Sequence, residues 1–240
     1  MKNKIALATG NKNKLREVKE IFGSDAEIIS MKEAGCTLTD IEENGKSFSE
    51  NSYIKSCAVN SDTGVPSIAD DSGLVCDAVS DIENRIYYPG IISARFFETL
   101  KEIFVNESDE EKSGHPFLYE RVKALLPDAK SVIEDIDKRD ISKDEKNYRI
   151  LLEIMKDVTE RNCRFVCAAT YVDGGERICV EGVCEGRLLY EPVITGNGVG
   201  YDPIFYSFDC GKAISCLTDD EKNAISHRGK AMRELRKKLF

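Results

Sequence analysis

The apolar run from Ile5 to Thr9 stops at Gly10 and gives way at once to Leu15, Val18, Ile21 and Phe22, spaced three or four apart. A short continuous apolar run reads as a buried strand, and the second spacing as one face of a helix. Strand, glycine turn, helix is the opening of an α/β fold. A second strand is expected over Glu27 to Met31, followed by a polar loop from Thr37 to Lys46. Ser47 with Glu50 three residues later forms a capping-box signature, which starts a helix containing Ile54, Cys57 and Ala58. Ser67 to Ala69 and Leu74 to Val79 read as strands flanking the acidic turn Asp70, Asp71, Ser72, Gly73. Arg164 to Val172 and Ile178 to Val183 read as neighbouring strands across Asp173-Gly174-Gly175, and Arg187 to Tyr190 adds another. A last helix is expected from near Thr218, with Glu221 completing a capping box. It puts Ile225, Arg228, Met232, Leu235 and Leu239 on one stripe. Residues 97–143 alternate charge signs around Phe117, Val122, Leu125 and Leu126, and read as a solvated helical insertion in a single domain spanning 1–240.

With 240 residues, 41% of them hydrophobic, the chain can fill a normal core. No stretch approaches the roughly 20 apolar residues of a membrane span, so a soluble, unprocessed protein of the cytoplasm is expected. Nine cysteines without a CxxC pair argue for reduced thiols over a disulfide framework or a cysteine zinc site. A formal charge of -9 speaks against nucleic acid as a partner, because such binding needs a basic surface. A phosphate-bearing ligand would have to meet a local cluster of cations.

Five segments carry such chemistry. Thr9, Gly10, Asn11, Lys12, Asn13 and Lys14 lie where strand becomes helix, and the free N–H groups of a helix start suit a phosphate. An Asn-Gly turn capping a surface helix is the competing reading; neither the P-loop nor the GxGxxG spacing is present. Asp70 and Asp71 are adjacent carboxylates, best tolerated when a hard cation such as Mg²⁺ neutralises them, although Ser72 and Gly73 could close a simple Asx turn. Glu42, Glu43 and Glu50 gain meaning only if the fold brings them to Asp71, while Asn51 and Lys55 share a helix face. The glycine-dense stretch Thr195 to Pro203 permits close backbone approach to a ligand, or is only a tight loop. Lys222, Ser226, His227 and Arg228 gather at the last helix. Arg228 falls on its apolar stripe and needs an anionic partner, phosphate or carboxylate. His115 reads as incidental.

In order, these segments resemble the inosine triphosphate pyrophosphatase family of noncanonical purine NTP pyrophosphatases. The matching blocks are LATGNKNKLREV from Leu7, SFSENSYIKS from Ser47, IADDSGL from Ile68, PGIISAR from Pro89, GYDPIF from Gly200 and LTDDEKNAISHRGKA from Leu217. The resemblance implies an elongated mixed β-sheet with flanking helices, in two lobes around a central cleft, and a homodimer. It implies hydrolysis of ITP, dITP or XTP to monophosphate and pyrophosphate. Thr9, Gly10, Asn11 and Lys14 would hold the triphosphate; Glu43 and Asp71 would bind Mg²⁺, with Mn²⁺ as an alternative. Asp71 would also activate the attacking water, assisted by Asp70 and Glu50. Lys55 and Ser72 would touch phosphates or ribose, Lys222 the nucleotide, and His227 with Arg228 the 6-keto edge of the purine.

Two departures stand out. Val199 replaces the aromatic residue usual before Gly200, Tyr201 and Asp202, and Asn197 is an extra residue in that loop. A stacked ring contributes about 1–3 kcal/mol to base binding, so either Tyr201 or another ring substitutes, or base preference differs. The other departure is the insertion of about 40 residues after Arg95. A related pyrophosphatase of different base preference and a nonenzymatic nucleotide sensor are the alternatives.

Overall fold

The computed structural model describes residues 3–240. Strands β1 (Asn3–Leu7), β2 (Ala26–Ser30), β3 (Ser67–Cys76), β4 (Asn162–Asp173), β5 (Glu176–Leu188), β6 (Phe205–Ser207) and β7 (Lys212–Ala213) hydrogen-bond in the order β2-β1-β3-β4-β5-β6-β7. β1 is parallel to β2 and β3, whereas β6 is antiparallel to β5 and β7. The sheet is therefore mixed, as expected. Parallel neighbours need crossover connections, and helices α1 (Lys12–Phe22) and α2 (Phe48–Thr63) lie in those connections. The remaining helices are α3 (Phe96–Phe104), α4 (Asp109–Gly114), α5 (Pro116–Leu125), α6 (Ala129–Asp137), α7 (Lys143–Ile154), α8 (Asp219–Ile225) and α9 (His227–Leu239).

The chain forms two compact units, each built from separate pieces. The first contains the residues up to Ser72, Phe165–Cys184 and Asp219–Phe240. Its core joins Ile5 and Leu7 of β1, Val18 and Phe22 of α1, Ile68 of β3, Cys167 of β4, and Met232 and Leu235 of α9. The apolar stripe anticipated for the first helix faces this core, as do Met232, Leu235 and Leu239 of the stripe anticipated for the last one, while Ile225 and Arg228 do not belong to it. Gly182 marks where α9 meets β5: a Cβ there would run into the backbone of His227 and Ala231.

The second unit contains Gly73–Arg164 and Glu185–Thr218. Its helices bury Phe96, Phe97, Leu100, Ile103, Leu118, Val122, Ile133, Ile150, Leu151 and Ile154. The charge-alternating segment is thus no solvated excursion. Its charges occupy outer faces, while apolar residues at helical spacing build a core of their own. Asn147 of α7 accepts from the Phe97 N–H at 2.8 Å, satisfying one orphan donor at the start of α3. His115 is not idle either, since its Nδ1 lies 3.0 Å from the Tyr88 hydroxyl.

Three boundaries differ from expectation. β3 runs unbroken through the acidic stretch, so there is no Asx turn at Asp70–Gly73. The backbone at its far end finds partners, Leu74 N–H at Ser93 Oγ and Cys76 N–H at the Tyr88 carbonyl. β5 runs through Ile178–Val183 without a break and ends at Leu188, so of the separate strand expected at Arg187–Tyr190 only Arg187 and Leu188 are strand, as the end of β5. The last helix is two helices, because Ser226 adopts an extended conformation and its hydroxyl accepts from the Gly229 N–H at 2.9 Å. Ser226, not Thr218, caps the helix that packs on the core, which sets His227 and Arg228 in its first turn.

Candidate active site

A strand sends successive side chains to opposite faces, and β3 uses this to separate its adjacent carboxylates. Asp70, only 3% exposed, receives Lys14 Nζ at 2.9 Å and Arg228 Nε at 3.1 Å on a single oxygen, Oδ2. Burial acts to raise its pKa, but Lys14 and then Arg228 overcome this and hold the carboxyl well below the usual range. The anionic partner that Arg228 required is therefore Asp70. Its Nη2 also reaches Ser72 Oγ at 3.4 Å, and its Nη1 lies 3.7 Å from Glu17 Oε2. Glu17 escaped the sequence reading. Its Oε1 is buried and accepts no hydrogen bond among the described residues, and burial pushes its carboxyl upward against the pull of Arg228. The available signal was its position three residues after Lys14, on the same face of α1.

The turn ahead of α1 leaves Gly10 to Asn13 exposed. The Asn11 side chain caps the helix, accepting from Asn13 N–H at 2.8 Å and Lys14 N–H at 3.3 Å, while the Asn11 N–H donates to Thr9 Oγ1 at 3.2 Å. The capping reading of this segment therefore describes its geometry: an Asn-capped helix start that faces outward.

On the other face of β3, the polar loop does come to Asp71. Asn51, 4% exposed, donates through Nδ2 to Asp71 Oδ2 at 3.1 Å and accepts from the Gly45 N–H at 2.9 Å. One amide therefore ties the loop to the strand. Gly45 is required, because a Cβ there would sit 2.6 Å from Asn51 Oδ1. One helical turn on, Lys55 places Nζ 2.7 Å from Glu43 Oε2 and 3.4 Å from Asp71 Oδ1. Burial raises the pKa of Asp71, with Lys55 the main opposing influence. Glu50 does not join this cluster. Its N–H donates to Ser47 Oγ at 3.2 Å, and its carboxylate accepts from the Lys46 N–H at 2.6 Å, one residue earlier than a standard capping box. Asp70 likewise belongs to the Lys14–Arg228 group, not to Glu43 and Asp71.

His227 stacks on Phe165 of β4, with centroids 5.0 Å apart and planes 17° from parallel. Burial, then the neighbouring Arg228 charge, hold its pKa down to about 3, so the imidazole is neutral at ordinary pH. Lys222 occupies the last turn of α8.

The glycine-dense loop belongs to the second unit. Val199 is 71% exposed, and its N–H donates to Asp202 Oδ2 at 2.8 Å. The Gly200 N–H donates to Asp144 Oδ2 at 2.9 Å, which anchors the loop to the start of α7. Tyr201 does not replace the missing aromatic surface. It is 5% exposed, and its hydroxyl is held by the Ser93 carbonyl at 2.9 Å.

A model of the Ham1 family matches residues 5–114 and 128–238. The stretch left unmatched, 115–127, is α5 and its two flanks. A dITP/XTP pyrophosphatase of Aquifex aeolicus (strain VF5) is 33% identical over 233 residues, covering 97% of this chain and 94% of that protein. Another, from Escherichia coli O157:H7, is 35% identical over 240 residues, with 97% and 95% coverage. The structure of a HAM1 protein from Coxiella burnetii aligns with a TM-score of 0.72 at 29% identity, covering 99% of this chain and 98% of that one. The Staphylococcus aureus Ham1 protein aligns with a TM-score of 0.70 at 28% identity over the same shares.

Proposed function

The chain belongs to the Ham1 family, and from that premise we propose that it hydrolyses ITP, dITP and XTP to the nucleoside monophosphate and pyrophosphate, clearing noncanonical purine nucleotides from the precursor pool. The observation that carries this reading is the juxtaposition of Asp71, Glu43 and Lys55, one strand position from a carboxylate that fixes Lys14 and Arg228.

Phosphoryl chemistry is mostly positioning and charge neutralisation, and the residues divide these tasks. Thr9, Gly10, Asn11 and Lys14 receive the phosphates at the start of α1, with Lys55 and Ser72 beside them. Asp71 takes the proton of the attacking water. Asn51, donating to its other oxygen, fixes the direction from which that proton is taken. Neutral His227 with charged Arg228 suits the 6-keto edge of a purine.

Glu43 and Asp71 fit Mg²⁺ or Mn²⁺: both offer hard oxygen donors to one cation position, occupied here by Lys55. Among the described residues no group of three or more His, Cys, Asp or Glu could hold a metal. Two carboxylates agree with the habit of Mg²⁺, which binds through one or two carboxylates and the substrate's own phosphates. When bound, the cation would neutralise charge on the phosphates and the leaving pyrophosphate.

Exposed Val199, with Tyr201 unable to stack, favours a second reading in which the reaction is the same but the base preference is broader. The deciding measurement is pyrophosphate against orthophosphate release from inosine, xanthosine, guanosine, adenosine and uridine triphosphates with Mg²⁺. Pyrophosphate from the 6-keto purines with little from ATP is expected, and Asp71→Asn should lose about 10³-fold or more in kcat. Release of orthophosphate, or full turnover by Asp71→Asn, would sink the proposal; equal use of UTP would favour the second reading. A homodimer in the cytoplasm completes the proposal. Exposed Ile82, Ile86, Tyr87 and Ile91 offer it apolar surface, and sedimentation at a monomer's rate would remove the dimer.

A further inference from the structure

Lys55 occupies the position that a divalent cation needs. Its ammonium lies 2.7 Å from Glu43 Oε2 and 3.4 Å from Asp71 Oδ1, and its side chain is only 13% exposed. Among the described residues, no other cation pairs with these two carboxylates. Lys14 and Arg228 are held by Asp70, and the Asn51 amide that fixes Asp71 is neutral. Resting on the reading above, we propose that Lys55 is a placeholder: it neutralises Glu43 and Asp71 until a triphosphate draws it away, so that metal joins the protein together with nucleotide and not before it.

The physical argument concerns room and charge. Mg²⁺ demands direct oxygen contacts of about 2.0–2.1 Å. An ammonium hydrogen-bonded to the same oxygens would then share a contact shell with a dication, and the two repel across a few ångströms of partly buried space. One must leave. Asp71 cannot turn away freely, because Asn51 holds its second oxygen and the same amide anchors the loop behind Glu43 through Gly45. The four-carbon stem of a lysine, by contrast, is flexible and carries a point charge that adapts to a new partner. Without substrate, the nearby carboxylate Asp70 is already satisfied by Lys14 and Arg228, so it does not compete for Lys55. A bound triphosphate supplies one. Coupling of this kind is reciprocal: nucleotide tightens metal binding by the same factor that metal tightens nucleotide binding.

Mn²⁺ binding to metal-free protein, followed by the electron paramagnetic resonance of the free ion, tests this without turnover. Titrations would be run with and without a triphosphate whose α,β-bridging oxygen is a methylene group. Wild type should bind Mn²⁺ weakly alone and far more tightly with the analogue. Lys55→Met, which removes a like charge beside the cation, should bind Mn²⁺ alone about tenfold or more tighter than wild type, and Lys55→Arg, which keeps the charge, should stay weak. Far-UV circular dichroism checks each fold, and Lys55→Gln replaces the methionine variant if that one does not fold. Asp71→Asn should abolish the tight binding in every background. Equal Mn²⁺ affinity of wild type and Lys55→Met without nucleotide overturns the placeholder while leaving an Asp71-dependent metal site intact. Mn²⁺ binding that ignores Asp71 even with nucleotide overturns the metal reading itself, and the placeholder with it.

Discussion

Asp70 and Asp71 share a peptide bond and almost nothing else. Opposite faces of β3 give one carboxylate two cations and the other an amide and a lysine, so their pKa values move apart, down for Asp70 and up for Asp71. The lowered group contributes to stability. Its folded pKa lies below the unfolded value of about 3.9, so the contribution is present above that value and fades as pH falls toward the folded pKa. Asp70→Asn should cost up to about 3 kcal/mol at pH 7, the low end for a broken buried pair because Lys14 and Arg228 reach solvent. Urea unfolding should show the gap between wild type and variant shrinking from pH 5 to pH 3. A gap of constant size would mean that lost packing, not charge, is responsible. The sequence announced both aspartates but not the division between them, since strand alternation matters only once DDSG is known to be strand and not turn. Glu17 was hidden by the ordinariness of a glutamate on an exposed-looking helix.

At the scale of elements, α9 matters most, because it carries His227 and Arg228 onto the sheet. Its docking depends on Gly182, whose missing side chain admits the α9 backbone. Gly182→Ala forces a methyl into main-chain atoms that cannot rotate aside, and should cost about 1–3 kcal/mol, as overpacking typically does. Gly175→Ala, at the β4–β5 turn with open space around it, is the control and should leave the thermal midpoint almost unchanged. Equal midpoints for both variants would show that the α9 contact is soft. The break before α9 was readable in principle, because Ser226 is a favoured N-cap residue directly ahead of a helical run. Thr218 and Glu221 offered an earlier start with equal local support, and only packing on β5 decides between them.

Across the whole molecule, local patterns foretold most of the individual strands and helices, since period and turn chemistry are written within a few residues, whereas the mixed sheet was expected from the family resemblance. What they could not supply were partners far apart in the chain, such as the Arg228–Asp70 pair or the Ser93 carbonyl that holds Tyr201. Cysteine usage is also a whole-chain property. Among the described residues no disulfide joins any of the nine cysteines; Cys216 is exposed, and Cys76, Cys163, Cys167 and Cys184 are buried. A thiol reagent should therefore count nine groups in denaturant, and in the folded protein should label Cys216 first and the buried four last. A count below nine under denaturing, non-reducing conditions would reveal a disulfide and contradict the reduced state.

The first unit is assembled from three stretches of chain, and this has a consequence in time. Asp70 and the arginine that neutralises it are 158 positions apart. At about 5–20 residues per second, the ribosome makes the carboxylate roughly 8–30 s before its guanidinium partner. Throughout that interval the nascent chain holds the turn before α1 and Lys14, but not the second cation or the helix that seals the core. A chain whose synthesis stops short of Arg228 has no folded form in which both cations hold Asp70, and it meets the proteases as an unfinished polypeptide instead of persisting as a half-built enzyme.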